Sequence, residues 1–293
     1  MRGTDLTADI KSHVHHRRLF TQRAAMTLLG TATLLVVIPI IFILVYMVIN
    51  GYSVINWEFL SSAPSQAGKA GGILPAIVGT FYLMLGTILF ALPIGVLAGI
   101  YLAEYARDNW LTRLINLAII NLAGVPSIVF GLFGLAVFVL ALDFGMSILA
   151  ASLTLAAQAL AMTITTSREA ITAVPREYRE GSLAIGVSKW QTIRYAVLPQ
   201  ASGGILTGAI LAMSRAAGET APILVVGAAF IMPGLPDSPL DRFMALPYHL
   251  YTVSAHVPGM PKEVMWGIAL VLVAMVLVFN ILVSVVRMKT RKR

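Results

Sequence analysis

"VPREYREGSLAIGVSKWQTIRYAVLPQ", residues 174–200, separates two apolar stretches of the chain. Its punctuation is that of two short helices. Pro175 suits a first helical turn, Gly186 suits the position just past a helix end, and Ser188 with Gln191 forms a capping box that starts a second helix. A sharp turn is therefore expected at Gly186. Leu183 on the first helix, and Trp190, Ile193 and Val197 on the second, offer apolar contacts that a water-facing loop does not need. Two readings of them stand side by side: a loop packed back on its own helices, or a platform for another protein.

Outward from this loop the 293-residue chain is 58% hydrophobic and 12% charged, far from the ~25% charged of soluble proteins. It reads as an all-α integral membrane protein. With no cysteine, disulfides, thiol chemistry and cysteine-ligated metals are excluded. Crossing a hydrocarbon core of about 30 Å takes about 20 apolar residues, and six segments qualify, near 26–49, 74–103, 114–142, 146–167, 201–230 and 266–286. The first is too long for a signal-peptide core and reads as a retained anchor. Pro93 and Pro126 are expected to kink the second and third spans. Gly95 to Gly99 and Gly204 to Gly208 have the spacing that allows close helix contact, a spacing frequent by chance among 24 glycines.

Basic residues set the orientation. Seventeen of the 21 Lys and Arg residues fall in the first tail, in the loops after the second and fourth segments, or at the end. Only Lys69, Arg242 and Lys262 lie on the other side, and Arg215 lies within an apolar segment. By the positive-inside rule both termini and the 168–200 loop are cytoplasmic. This gives a basic cytoplasmic tail at 1–25, a six-helix domain at 26–287 that includes the loop, and a second basic tail at 288–293. The net charge of +8 is thus a topology signal, and nucleic acid has little left to explain. The outer segments 50–73 and 231–265 read as surface loops with short amphipathic pieces, and "HVHH" at 13–16 as a solvated patch.

"SRAAGETAP", residues 214–222, places Arg215 and Glu219 four apart in an apolar run, on one face if it is helical. An arginine in a membrane costs at least about 2.5 kcal/mol, so it is paired, faces a cavity, or both. One reading is a static ion pair. The other is an anion path in which Arg215 meets the anion, Ser214 and Thr220 donate hydrogen bonds, and Glu219 holds the arginine between passages.

No phosphate-binding G-x-x-x-x-G-K-[ST] occurs, since Gly68-Lys69 is followed by Ala70. His249 and His256 have no acidic neighbour at a catalytic spacing. The chain reads as no enzyme in itself, with no cofactor of its own.

Glu180, then Gly186 six residues on, then Leu198 and Pro199, resembles the EAA loop of ABC importer permeases. Gly181 and Ser182 stand where that family favours Ala, and Ala196 where it favours Ile. "NLAGVPSIVFGLFGL" at 121–135 and "SRAAGETAP" are similar to the PstA-type permeases of the phosphate importer, with the likeness running from about residue 20 to the end. The resemblance implies a type I importer fold with both termini cytoplasmic. It also implies ATPase coupling through Glu180, Gly186, Leu198 and Pro199, and inorganic phosphate as cargo. The implied partners are a PstC-like permease, a PstB-like ATPase pair that binds ATP, and an external PstS-like phosphate-binding protein. A permease for molybdate, sulfate or phosphonate, and a membrane scaffold or sensor whose loop binds a regulator, remain as alternatives. A proton-coupled carrier needs more buried ionisable groups than this pair.

Overall fold

The computed structural model describes residues 4–232 and 234–291, with side chains for 21–232, 234–285 and 288. The chain divides into two units, one ending at Asn50 and one spanning Gly51–Arg293. The first is a single long helix, α1 (Thr4–Gly51), which shows no break where the basic tail was expected to end. The side chains of "HVHH" lie outside the described residues.

The second unit continues with α2 (Trp57–Ser61), the short strands β1 (Pro64–Ser65) and β2 (Ala70–Gly71), and α3 (Leu74–Ile100), which widens into a π turn at Tyr101–Tyr105. Then follow α4 (Trp110–Ala123), α5 (Ser127–Gly134) with a π continuation to Ala141, α6 (Ile148–Thr172), α7 (Arg176–Ala184) and α8 (Lys189–Thr192). A π turn at Ile193–Val197 leads into α9 (Leu198–Gly218), α10 (Ala221–Val226), α11 (Leu246–His256) and α12 (Lys262–Arg291). Local chemistry sets the starts. Asn109 accepts the Thr112 N–H at 2.8 Å and Ser147 the Ala150 N–H at 3.2 Å, each satisfying a donor that a helix start leaves open.

Among the described residues five helices are long and apolar enough to cross a membrane, and α4 with α5 forms a sixth, bent pair. That pair is no kinked helix. Gly124 ends α4, Pro126 precedes α5, and the axes differ by 105°, because Pro126 pushes Val125 out of helical geometry and lacks the N–H to continue the ladder. The pair still spans α6 from end to end. Arg168 near the α6 C-terminus donates to Asn116 of α4, whereas Gly134 of α5 packs on Thr154 near the α6 N-terminus.

The fifth segment also differs from expectation. Instead of one span over 201–230, α9 stops at Gly218, Glu219 is extended (φ −72°, ψ 129°), and α10 begins at Ala221. Pro222 has no N–H to offer the carbonyl of Gly218, which is why the helix cannot run on.

The small-residue spacings have a packing role after all. A β-carbon at Gly95 would lie 2.6 Å from Thr163, one at Gly99 2.8 Å from Ser167, and one at Gly204 2.5 Å from Ala170; Gly208 meets Thr166. These glycines let α3 and α9 close on α6 from two sides, making α6 the central helix. The 231–265 segment is not merely surface either. Phe243, Met244, Ala245 and Leu246 are fully buried, and the Leu246 N–H donates to Thr80 of α3 at 2.8 Å.

Candidate functional site

Two interrupted helices meet beside the middle of α6. The backbones of α5 and α10 touch, since a β-carbon at Gly131 would lie 2.8 Å from Pro222 Cα. A small cavity at the α4–α5 break, bordered by α6 and the end of α9, is lined by Leu122, Ala123, Val125, Phe130, Gln158, Ala161, Met162 and Arg215. Discontinuous membrane helices expose backbone polar groups at depth, and such groups are tolerated where they line a cavity or a substrate path.

Arg215 lies in the last turn of α9, and Glu219 just past its end. Arg215 Nε donates to Glu219 Oε1 at 3.2 Å, and Gln158 Nε2 of α6 donates to the same oxygen at 2.6 Å. The pair expected from the sequence is therefore present, but the arginine is not buried in this chain. Its side chain is 49% exposed, against 15% for Glu219. Only Nε is engaged, so the terminal guanidinium nitrogens of this half-exposed side chain have no partner among the described residues. The carboxylate is the anchored partner and the guanidinium the presented one.

Ser214 and Thr220 part company with this pair. Ser214 Oγ lies 2.7 Å from Asn280 Oδ1 of α12 and 2.9 Å from the Ile210 carbonyl, its one proton shared between them, which ties α9 to α12. Thr220 precedes α10 without a side-chain cap. Sequence reasoning missed Gln158, the polar side chain that fixes Glu219. Its signal was a lone glutamine in "LTLAAQALAM", 7% exposed and with Oε1 unpartnered.

The 174–200 loop folds as its punctuation predicts. Gly186 has φ +82°, its N–H donates to the Leu183 carbonyl at 3.0 Å, and Ser188 and Gln191 complete a capping box. Pro175 stands one position earlier than expected, just before α7. The apolar residues divide between the two readings. Ile193 and Val197 are buried in a cluster with Ile100, Ile171, Val174 and Ala201, with Leu198 packed against it. Leu183, Ile185 and Trp190 remain exposed. Glu180, Gly186 and Pro199 are exposed as well. The loop is thus anchored by one face and free on the other.

Arg179 does the anchoring, a role the sequence reading did not assign. Its Nη2 and Nε donate to Glu104 Oε1 at 2.7 and 2.9 Å, Nη1 donates to the Val174 carbonyl at 2.7 Å, and Nη2 also to the Ile171 carbonyl at 2.8 Å. A cavity of about 570 Å³ opens on the side of α6 that carries Arg168, between Leu102 and Asn116. Among the described residues no cluster of His, Cys, Asp or Glu is placed to hold a metal ion.

Comparison with known proteins places this architecture. The probable ABC transporter permease protein YqgI of Bacillus subtilis (strain 168) is 34% identical over 278 residues, covering 90% of this chain and 94% of that one. The phosphate transport system permease protein PstA of Yersinia pestis is 33% identical over 247 residues, covering 83% and 81%. The probable PstA of Methanocaldococcus jannaschii is 31% identical over 263 residues, covering 89% and 92%. The crystal structure of a bacterial ABC transporter involved in alginate import superposes with a TM-score of 0.62 at 14% identity, covering 93% of this chain and 99% of that one. The inward-facing MetNI methionine transporter gives 0.58 at 19%, covering 75% and 94%. At those identities the structures speak to the fold alone, which is that of ABC importer permeases. Residues 95–292 match the family described as binding-protein-dependent transport system inner membrane component, so this multi-pass, mostly helical membrane chain belongs to that family.

Proposed function

We propose that the chain is one permease subunit of an ATP-driven importer that passes inorganic phosphate into the cytoplasm, with both termini on the cytoplasmic side. The observation that carries the reading is the open guanidinium of Arg215, held by one nitrogen at the junction of two broken helices. A static pair would engage the planar fork at both oxygens of a carboxylate, whereas a fork with its terminal nitrogens free matches the oxygens of a passing oxyanion. PstA relatives of similar length support phosphate as the cargo.

In this mechanism a PstS-like protein supplies selection on the outside, and the permease gives phosphate only a weak, transient hold, so that release stays fast. Arg215 receives the anion through its terminal nitrogens. Glu219, fixed by Gln158, neutralises the arginine between passages and disfavours a second anion. Ser214 acts from α9 through Asn280, and Thr220 lies at the break itself. Residues Glu180, Gly186, Leu198 and Pro199 belong to the loop that takes up ATPase movement, its exposed Leu183, Ile185 and Trp190 meeting the ATPase. A PstC-like permease completes the path, and a PstB-like ATPase pair binds and hydrolyses the ATP.

Reconstitution of the complete complex in liposomes tests the reading. The expected result is ATP-dependent uptake of labelled phosphate that depends on the binding protein and is not displaced by molybdate or sulfate. Uptake competed equally by those anions moves the assignment to another oxyanion; ATP hydrolysis or binding without any flux overturns the transport reading.

A further inference from the structure

The loop that meets the ATPase must pull on something, and the hydrogen bonds of residues 171–192 say what. Arg179, in the middle of α7, reaches in three directions. It donates twice to Glu104 in the π turn that ends α3, and it donates to the carbonyls of Ile171, in the last turn of α6, and of Val174, just beyond it. Its side chain is 21% exposed and that of Glu104 only 9%. The second loop helix converges on the same turn: Lys189 Nζ donates to the Glu104 carbonyl and lies 4.7 Å from the Tyr105 ring centroid. Ser182 and Thr192 hydroxyls, 3.0 Å apart, join α7 to the segment after the capping box. Both short helices are thereby fastened to residues 104–105, not merely laid against them.

We propose that Arg179, Glu104 and Lys189 form a strut that makes the loop, the inner end of α3 and the inner end of α6 move as one body, so that ATPase closure is delivered to α3 through Glu104. The inference rests on the importer reading and adds to it the route by which force leaves the loop. The three are positioning residues, since none touches phosphate or nucleotide. A guanidinium suits the task because its rigid fork bonds carboxylate and carbonyls at once, which a lysine at position 179 would do with one mobile ammonium. The geometry also names α3 as the driven span. From Glu104 back to Gly95 and Gly99, where α3 lies in contact with Thr163 and Ser167, displacement passes directly into the central helix.

The test uses the complete complex in liposomes and measures phosphate delivered per ATP hydrolysed. Glu104→Gln and Arg179→Gln are expected to keep the ATPase co-purifying and the unstimulated hydrolysis intact, while phosphate per ATP falls about tenfold, the size of an ordinary coupling between sites. Arg179→Lys retains part of the ratio. Because the chain has no native cysteine, Glu104→Cys with Arg179→Cys provides a reversible strut in cysteine-free partners. The unbridged pair is uncoupled, a short bis-thiosulfonate spacer restores the ratio, and reductant removes it again. Bridged protein can be assembled first and cleaved in the membrane, so poor assembly of the single variants leaves the measurement in place. Assembled variants with an unchanged ratio, or bridging that alters only the amount of protein, overturn the strut. A wild-type complex that hydrolyses ATP but carries no phosphate overturns the importer reading instead; the strut is then read from whether bridging changes the stimulation of hydrolysis by the binding protein.

Discussion

Two arginine–glutamate pairs flank α6, and they use the same two side chains in opposite ways. Near the α6 C-terminus Arg179 uses its guanidinium fully, on Glu104 and on the carbonyls of Ile171, Val174 and Pro175, with both side chains mostly enclosed. Beside the middle of the helix Arg215 spends one nitrogen on Glu219 and keeps the rest exposed. A closed pair holds elements together, and removing one partner strands a buried charge. An open pair contributes little to stability and leaves a permanent positive charge available. Sequence spacing alone distinguishes them poorly, because the i,i+4 pair that looks structural is the open one.

The comparison breaks most readily on stability. Arg179→Leu leaves Glu104 enclosed without its partner and is expected to cost about 3–5 kcal/mol, whereas Arg215→Leu at a half-exposed pair is expected to cost under about 1 kcal/mol. Thermal unfolding of the purified complex should order them so. Equal losses would mean that the two pairs do the same job.

Gln158 sharpens the contrast from the other side. Replacing it with Leu removes the 2.6 Å bond that holds Glu219 and is expected to cost about 1–3 kcal/mol, the price of leaving a buried polar group unmade. The freed carboxylate then closes on Arg215, so phosphate flux falls more than protein yield. Flux that tracks yield would remove Gln158 from the site.

Gly186 separates the loop's anchored face from its free one. Nothing lies within 4 Å of a β-carbon there, but φ is +82°, so Gly186→Val pays only backbone strain, about 1–2 kcal/mol. The subunit should insert normally and lose coupling between ATP and flux. Normal uptake at normal expression would contradict the docking role of this turn.

The smallest effect concerns His249 in α11, buried against Phe230. Burial lowers its pKa below the ordinary 6.5, against a smaller upward pull from the Phe230 carbonyl. The unfolded chain then takes up a proton that the folded chain refuses, so stability is full above about pH 6.5 and declines as pH falls below it. Wild type should lose more thermal stability than His249→Phe between pH 7 and pH 5; parallel losses would show that His249 is not the group responsible.

How much of this was legible depended on distance along the chain. The turn at Gly186 and its capping box follow from neighbours within four residues, and they were read correctly. The glycine pairs were visible as spacings, but that they face Thr163, Ser167 and Ala170 on one central helix needs three helices in place. The breaks after Ala123 and Gly218 were underestimated because long apolar runs flank both, while Pro126 and Pro222 act on backbone hydrogen bonds that hydropathy does not register. Gln158, Glu104 and Arg179 found their partners 61 and 75 residues away, which no local rule supplies.

The most direct measurement is made at Arg215. Arg215→Gln alone, and Arg215→Gln with Glu219→Gln, are assembled with their partners, and assembled protein and phosphate flux are measured separately. An anion path predicts assembled complexes in both cases with flux lost in both, since a neutral amide cannot compensate a desolvated anion. Flux restored by the double change would contradict it, because only a static pair is repaired by removing both of its charges.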